Sequence, residues 1–377
     1  MPRVHPFYAV KCNDHPIVLR TLAALGLGFD LASKQEIDMI LDLGVKPHMT
    51  IYANTFKIPN HFKYAAEVGL KTVVFDSACE LYKGKEIYPD ANYVIRIKHD
   101  LQVHDIRVVF GEKYGVAPDL EAPQLLSLAR CLGLKVVGVS FHIGSGVGLL
   151  NAGAYYSAIE DAKRVFDYGA SLGYSFNLLD IGGGFESEYD LPKFAEVINS
   201  AINTFFPDPN IKIIAEPGRY FVGTALHLST NIIAMKEVEH LDPVTGLSYP
   251  HYMYILNDGF YGSFKENIVT KKVTIPKILS KKRNRSEKFS SSLWGPTCDP
   301  RDLILKYVLL PLADYGDWLI FENMGDYTLT MATNFNRLPL PDVYPVIDQI
   351  TWTLLKDNHL FENIFTTNDM DKAFFEK

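Results

Sequence analysis

The chain lacks the features that would classify it at a glance. Its 377 residues include only four cysteines, Cys12, Cys79, Cys131 and Cys298, widely spaced and with no CxxC pair. That argues against a disulfide scaffold and a cysteine-based zinc site, leaves no metal centre to expect, and favours a reducing compartment. No apolar run reaches the roughly 18 residues that a membrane-spanning helix needs. The start has no signal-peptide hydrophobic region. Positive charge is in deficit, with 37 Lys and Arg against 44 Asp and Glu and a net charge of −7. A nucleic-acid binder carries a basic face and an anionic membrane attracts basic segments, so neither partner is expected. GxGxxG and Walker A sequences are both missing, so a dinucleotide fold of that type and ATP chemistry are not indicated. A soluble, cytoplasmic protein is the expectation.

What the chain does have is a rhythm. With 47% hydrophobic residues it is ordinary globular composition, long enough for two domains. Through the first 220 or so residues, short apolar runs alternate with polar turns and helix-like segments. The runs are PFYAVK (6–11), GFDLAS (28–33), TIYANT (50–55), TVVFDS (72–77), NYVIRIK (92–98), VVGVSFHIG (136–144), FNLLDIGGG (176–184) and IKIIAEPG (211–218). Continuous rather than alternating apolar runs fit a parallel sheet buried on both faces. Eight such units predict an α/β fold with a TIM-type (β/α)8 barrel, which needs about 200 residues or more. A doubly wound open sheet is the rival, and the count of eight favours closure. Beyond residue 223 the strand-like runs follow one another without helices, which predicts a mainly antiparallel β domain over 224–377. Two polar stretches, 238–251 and 281–290, read as exposed loops.

In a TIM-type barrel the active site forms where the strands end. There the sequence places Lys11, Asp30, Asp76, Arg96, His142 with Gly144, Ser145 and Gly146 behind it, Gly182, Gly183 and Gly184, and Glu216, Gly218 and Arg219. Charged groups are seldom buried unless paired or functional. The glycine turn exposes N–H groups and lets an anion approach closely, although a tight βα turn explains it equally well when taken alone. With Ser145 and Arg219 on neighbouring strands, a phosphorylated ligand becomes the better reading. A lysine at a strand end can simply snorkel or pair. Among these neighbours it can also form a Schiff base. Lysine, phosphate site and the acidic Glu216 together suit pyridoxal 5′-phosphate, whose ring nitrogen needs an acidic partner.

The same residues resemble the eukaryotic ornithine decarboxylase family, of the alanine-racemase-like fold group. PFYAVKCND, GFDLASKQEI, VVGVSFHIGSG, LLDIGGGF, IIAEPGRY, NDGFYGSF, WGPTCD and ENMGDYT carry the resemblance over nearly the whole chain. It implies conversion of L-ornithine to putrescine, the first step of polyamine biosynthesis. It implies that Lys11 holds the cofactor, that His142 stacks on its ring and that Glu216 partners its nitrogen. Ser145, Gly182, Gly183, Gly184, Gly218, Arg219 and Tyr327 would cradle the phosphate, and Asp30 and Arg96 would support the lysine. Asp258 and Asp299 would bind the substrate's distal amine. Cys298 would return a proton, with Cys298 and Asp299 donated by the second subunit of a homodimer. Lys113 and Asp302 match positions that the family pairs across that interface. Segment 57–84 resembles the family's antizyme-binding region, so an antizyme inhibitor with little or no activity is the alternative, as is a decarboxylase of lysine or arginine.

Three departures stand out. Family members carry about fifty residues before the first barrel strand, including a strand whose loss would leave a sheet edge open. Pro300 replaces a common glycine, so the loop holding Cys298 and Asp299 is expected to sit differently. Asp326 replaces a common alanine beside Tyr327, where an acid facing a phosphate would repel it and an acid facing outward would matter little.

Overall fold

A computed structural model describes residues 1–99, 111–145, 152–186, 191–241, 246–279, 287–348, 350, 353 and 374–376. Eight parallel strands close into a barrel in chain order. They are β1 (Val4–Ala9), β2 (Gly28–Leu31), β3 (Thr50–Tyr52), β4 (Thr72–Phe75), β5 (Asn92–Ile97), β6 (Lys135–Phe141), β7 (Leu178–Asp180) and β8 (Lys212–Ala215). Each falls on one of the eight predicted runs. Closure is direct, because β1 pairs with both β2 and β8. Phe7, Ile51, Val74, Val94, Val137, Leu178 and Ile214 fill the interior. Burial of both strand faces explains why the runs are continuously apolar.

Helices α1 (Pro16–Ala24), α2 (Lys34–Asp42), α3 (Pro59–Glu67), α4 (Ala78–Ile87), α5 (Glu121–Cys131), α6 (Gly153–Ser171) and α7 (Leu191–Phe205) alternate with the strands. Their starts are written locally. The Ser33 hydroxyl accepts the Glu36 N–H at 3.2 Å while the Glu36 carboxylate accepts the Ala32 N–H at 2.6 Å, a near relative of the capping box. Ser77 caps α4 in the same way, through the Glu80 N–H. Among the described residues no helix is long and apolar enough to cross a membrane.

The chain divides into two compact units, 1–220 with 344–377, and 221–343. Residues 344–377, expected in the second domain, are thus grouped with the barrel; their described part includes β15 (Val346–Asp348), which pairs in parallel with β16 (Phe374–Glu376). The second unit holds a six-stranded sheet of β9 (Leu228–Leu241), β10 (Ser248–Leu256), β11 (Lys277–Leu279), β12 (Lys288–Trp294), β13 (Leu303–Pro311) and β14 (Trp318–Phe321). Its order is β11-β14-β9-β10-β12-β13, antiparallel except for the β10–β12 pair. Ile232, Tyr254, Leu256, Phe264, Leu293, Leu319 and Phe321 form its core.

Two loop expectations fail. Most of 238–251 belongs to the long β9–β10 hairpin, where Val238 pairs with His251 and Glu239 with Pro250. Residues 288–290 belong to β12, while 281–286 lie outside the described residues.

Candidate active site

Strand β1 ends at Ala9, two residues earlier than expected, and Lys11 sits in a single 3-10 turn, Val10–Cys12. The turn lifts the lysine clear of the packed barrel interior. Its side chain is 47% exposed, yet its Nζ is 2.5 Å from Asp30 Oδ2 on β2, a carboxylate only 1% exposed. The other oxygen of Asp30 is buried without a hydrogen bond, as is the Ser140 hydroxyl on β6. Arg96, on β5, lies over the Tyr114 ring at 4.9 Å. Asp76 spends one oxygen on the Gly115 N–H at 2.9 Å and leaves the other unpaired and buried.

His142 follows β6. Its Nδ1 accepts the Gly144 N–H at 3.0 Å, so the neutral ring carries its proton on Nε2. Crowding by the barrel end, with the positive charges of Arg96 and Lys11, pushes it well below the ordinary histidine value. Ser145 follows in the described chain, and Gly146 lies outside it.

The glycine turn after β7 is where three barrel loops meet. Gly182 and Gly184 have φ of 64° and 103°. A Cβ on Gly182 would lie 2.2 Å from the Phe141 carbonyl oxygen, and one on Gly183 would lie 2.6 Å from that of Glu216. No other residue fits. Tyr155, buried on α6, donates its hydroxyl to the Gly183 carbonyl at 2.7 Å and fixes the turn from behind. Among the described residues the N–H groups of Gly183 and Gly184 have no acceptor. Gly218 plays a different part, because a Cβ there would meet Cys12 Cβ at 2.8 Å. It permits the β8 loop to pack on the turn that bears Lys11. Arg219 is buried beside it.

Glu216 has a partner that the sequence reading passed over. Asp180, the last residue of β7, is hydrogen-bonded to Glu216 and also accepts the Gly182 N–H at 2.9 Å. Desolvation raises Glu216 well above the ordinary glutamate value, helped by the nearby charges of Asp180 and Asp30. Desolvation also raises Asp180, to about 6. Two buried carboxyls in contact cannot both ionise cheaply, so they hold a proton between them. Asp180 stands at a strand end, the criterion that selected Asp30 and Asp76. Glu36 is a second omission; burial lifts it to about 7 and Asp30 adds to the effect.

Of the remaining expected residues, Asp258, Cys298, Asp299, Asp302 and Tyr327 lie in the β unit, and Lys113 and segment 57–84 in the barrel unit. Asp258 accepts the N–H groups of Gly259 at 2.7 Å and Ser263 at 2.9 Å through Oδ1, and its buried Oδ2 has no partner. A small cavity beside it is lined by Tyr261, Pro296, Asp302, Phe335 and Leu338. Cys298 is exposed, with Sγ 3.5 Å from Asn336 Oδ1. Pro300 occupies a turn in which the Asp302 N–H reaches the Asp299 carbonyl at 3.0 Å, a place that a fixed proline φ suits. Asp302 is buried and takes the Phe260 and Thr297 N–H groups and the Thr297 hydroxyl within its own unit. Lys113 lies over Tyr114 at 5.0 Å. Asp326 is 3% exposed, which removes the outward-facing alternative, and Tyr327 has a left-handed φ of 54°. Segment 57–84 spans α3, β4 and part of α4; Ile58 and Tyr82 are exposed, while Lys57 is buried against Glu80 at 2.9 Å.

Residues 1–223 match the family described as pyridoxal-dependent decarboxylase, pyridoxal binding domain. Antizyme inhibitor 2 of Xenopus laevis is 44% identical over 361 residues, covering 93% of this chain and 78% of that protein. Ornithine decarboxylase of Mus pahari is 43% identical over 367 residues, covering 94% of this chain and 78% of that protein. The solved structure of the Paramecium bursaria Chlorella virus arginine decarboxylase bound to agmatine aligns with a TM-score of 0.82 at 35% identity, covering 90% of this chain and 89% of that one. The barrel end fits the cofactor that the family description names: an amine at Lys11, a buried carboxyl at Glu216, orphaned polar atoms on Asp30 and Ser140, and open N–H groups in the glycine turn. The chain therefore belongs to the pyridoxal-dependent decarboxylase family, and its cofactor is pyridoxal 5′-phosphate.

Proposed function

We propose that the protein decarboxylates L-ornithine to putrescine, as a cytoplasmic homodimer. The observation that carries this reading is the barrel-end constellation, in which the Lys11–Asp30 ion pair shares one mouth with the proton-sharing Asp180–Glu216 pair. Lys11 would be the attachment point for the cofactor, and Asp30 holds its amine in place. Glu216 would partner the ring nitrogen, with Asp180 setting where the shared proton sits. His142, neutral, would pack on the ring. Ser145, the N–H groups of Gly183 and Gly184 and Arg219 would hold the phosphate, and the family resemblance adds Tyr327. When bound, the cofactor supplies a protonated ring that accepts the electron pair left as carbon dioxide departs.

The free Oδ2 of Asp258 and the carboxylate of Asp299, the latter from the second subunit, would take the distal ammonium of the substrate, and that charge pairing would select a basic amino acid. The exposed thiol of Cys298 of the second subunit would hold the proton that is returned to the α-carbon. Release of labelled carbon dioxide from ornithine, lysine and arginine tests the reading. Ornithine is expected to be the best of the three. No release from any of them would overturn it.

One observation favours a second reading. Antizyme inhibitor 2 is as similar to this chain as the decarboxylases are, and Ile58 and Tyr82 give segment 57–84 an exposed apolar surface. Tight antizyme binding together with no turnover would select it.

A further inference from the structure

Asp299 is occupied by the chain itself. Its Oδ1 accepts the Arg301 N–H at 2.8 Å and Nε at 3.0 Å, and its Oδ2 accepts Arg301 Nη2 at 2.6 Å and the Tyr261 hydroxyl at 2.7 Å. A carboxylate offers about four lone-pair sites, and all four are taken. The Asp299-Pro300-Arg301 order makes this local. The side chain closes onto the N–H two residues on, and proline between them needs no N–H of its own. Asp258 is the opposite case, with one buried oxygen unclaimed.

We propose that Arg301 is an internal counter-ion that competes with the distal ammonium of the substrate for Asp299, and so sets the affinity for diamines and basic amino acids. The inference rests on the reading above that Asp299 binds this ammonium. Arg301 is well placed to yield. Its side chain is 78% exposed while that of Asp299 is 11% exposed, so the guanidinium can swing into water and leave the carboxylate where it is. Tyr261 stays, stacked on Phe335 with ring centroids 4.4 Å apart, and keeps Asp299 aimed. A fully occupied acid raises the threshold for a cation without abolishing the site. Arg301 touches neither the cofactor nor the reacting atoms in this scheme; it acts through Asp299.

The test is a cycle of variants measured with cofactor-loaded protein, reading 1,4-diaminobutane affinity by titration calorimetry and KM and kcat for ornithine. Arg301→Leu is expected to tighten diamine binding and lower KM by about 3- to 5-fold with kcat unchanged, the span of an exposed ion pair. Arg301→Lys, which keeps the charge and loses the fork, is expected to fall between. Asp299→Asn is expected to weaken binding, and Arg301→Leu added to it to change nothing further. If Asp299→Asn weakens binding but Arg301→Leu has no effect, or weakens it too, the competition is refuted. If the gain from Arg301→Leu survives in the Asp299→Asn background, the effect is general charge and the proposal falls. If Asp299→Asn changes nothing, the ammonium reading itself fails and takes the inference with it.

Discussion

The Asp180–Glu216 pair of the barrel and Asp299 of the β unit are treated in opposite ways. At the barrel end Asp180 and Glu216 are buried in contact with each other, and desolvation drives both upward until they hold a proton. In the β unit Asp299 is held by a guanidinium and a phenol and is driven far down. Asp258, in the same unit, is buried and pushed up by desolvation although it accepts the N–H groups of Gly259 and Ser263. Burial without a cation makes a carboxyl that stores a proton. A cation beside it makes a carboxylate that stores charge. The Asp180–Glu216 pair therefore suits work on a proton at a ring nitrogen, and Asp299 suits recognition of a cation.

The largest break in that contrast comes from Lys11, the cation that faces Asp30 directly. Lys11→Ala is expected to reduce carbon dioxide release by about 10³-fold or more and to remove the cofactor's near-visible absorbance band. An unchanged spectrum would sink its assignment as the attachment point. Glu216→Gln keeps the shape of the barrel pair while removing its titration; a loss of about 10²-fold in kcat is expected. Asp258→Asn keeps the acceptor for the Gly259 and Ser263 N–H groups and removes the free charge. Its KM for ornithine should rise about 10-fold, and an equal fall in kcat alone would argue against a binding role.

The smallest effect on turnover, and the sharpest on stability, belongs to Asp180→Asn. Asp180 titrates near 6 when folded against an ordinary 3.8. The folded chain thus holds the proton more tightly than the unfolded one, and stability falls as pH rises from about 4 to about 6. Asparagine mimics the protonated acid and cannot lose its hydrogen, so the variant should be more stable at pH 7 by about 1–3 kcal/mol. Denaturant midpoints at pH 4 and pH 7 measure this. A variant as pH-dependent as its parent would place the proton elsewhere.

The barrel was legible because both faces of every strand are buried, so each announces itself as an apolar run; strand-end charges then pointed to Lys11, Asp30 and Glu216. Asp180 obeyed the same rule and was masked by the glycines that follow it. The β unit was harder to read. Lys236, Glu237 and Glu239 are exposed along β9, so the alternation of a half-buried strand is missing there, and pairing with Met253, Tyr252 and Pro250 makes the strand instead. The run LILKYVLLP became β13 although its short apolar pattern does not separate strand from helix. The grip of Arg301 on Asp299 had no signal in spacing, since it depends on how a turn folds an arginine back on its neighbour.

The three adjoining glycines after β7 also speak in the language of codons. Any change in the first two bases of a glycine codon adds a side chain or a stop, and at Gly182 and Gly183 the first atom of that side chain would land within 2.6 Å of a carbonyl oxygen. In a saturation scan this stretch should survive only as silent variants. The barrel's most permissive backbone is thereby the part of the gene least free to vary.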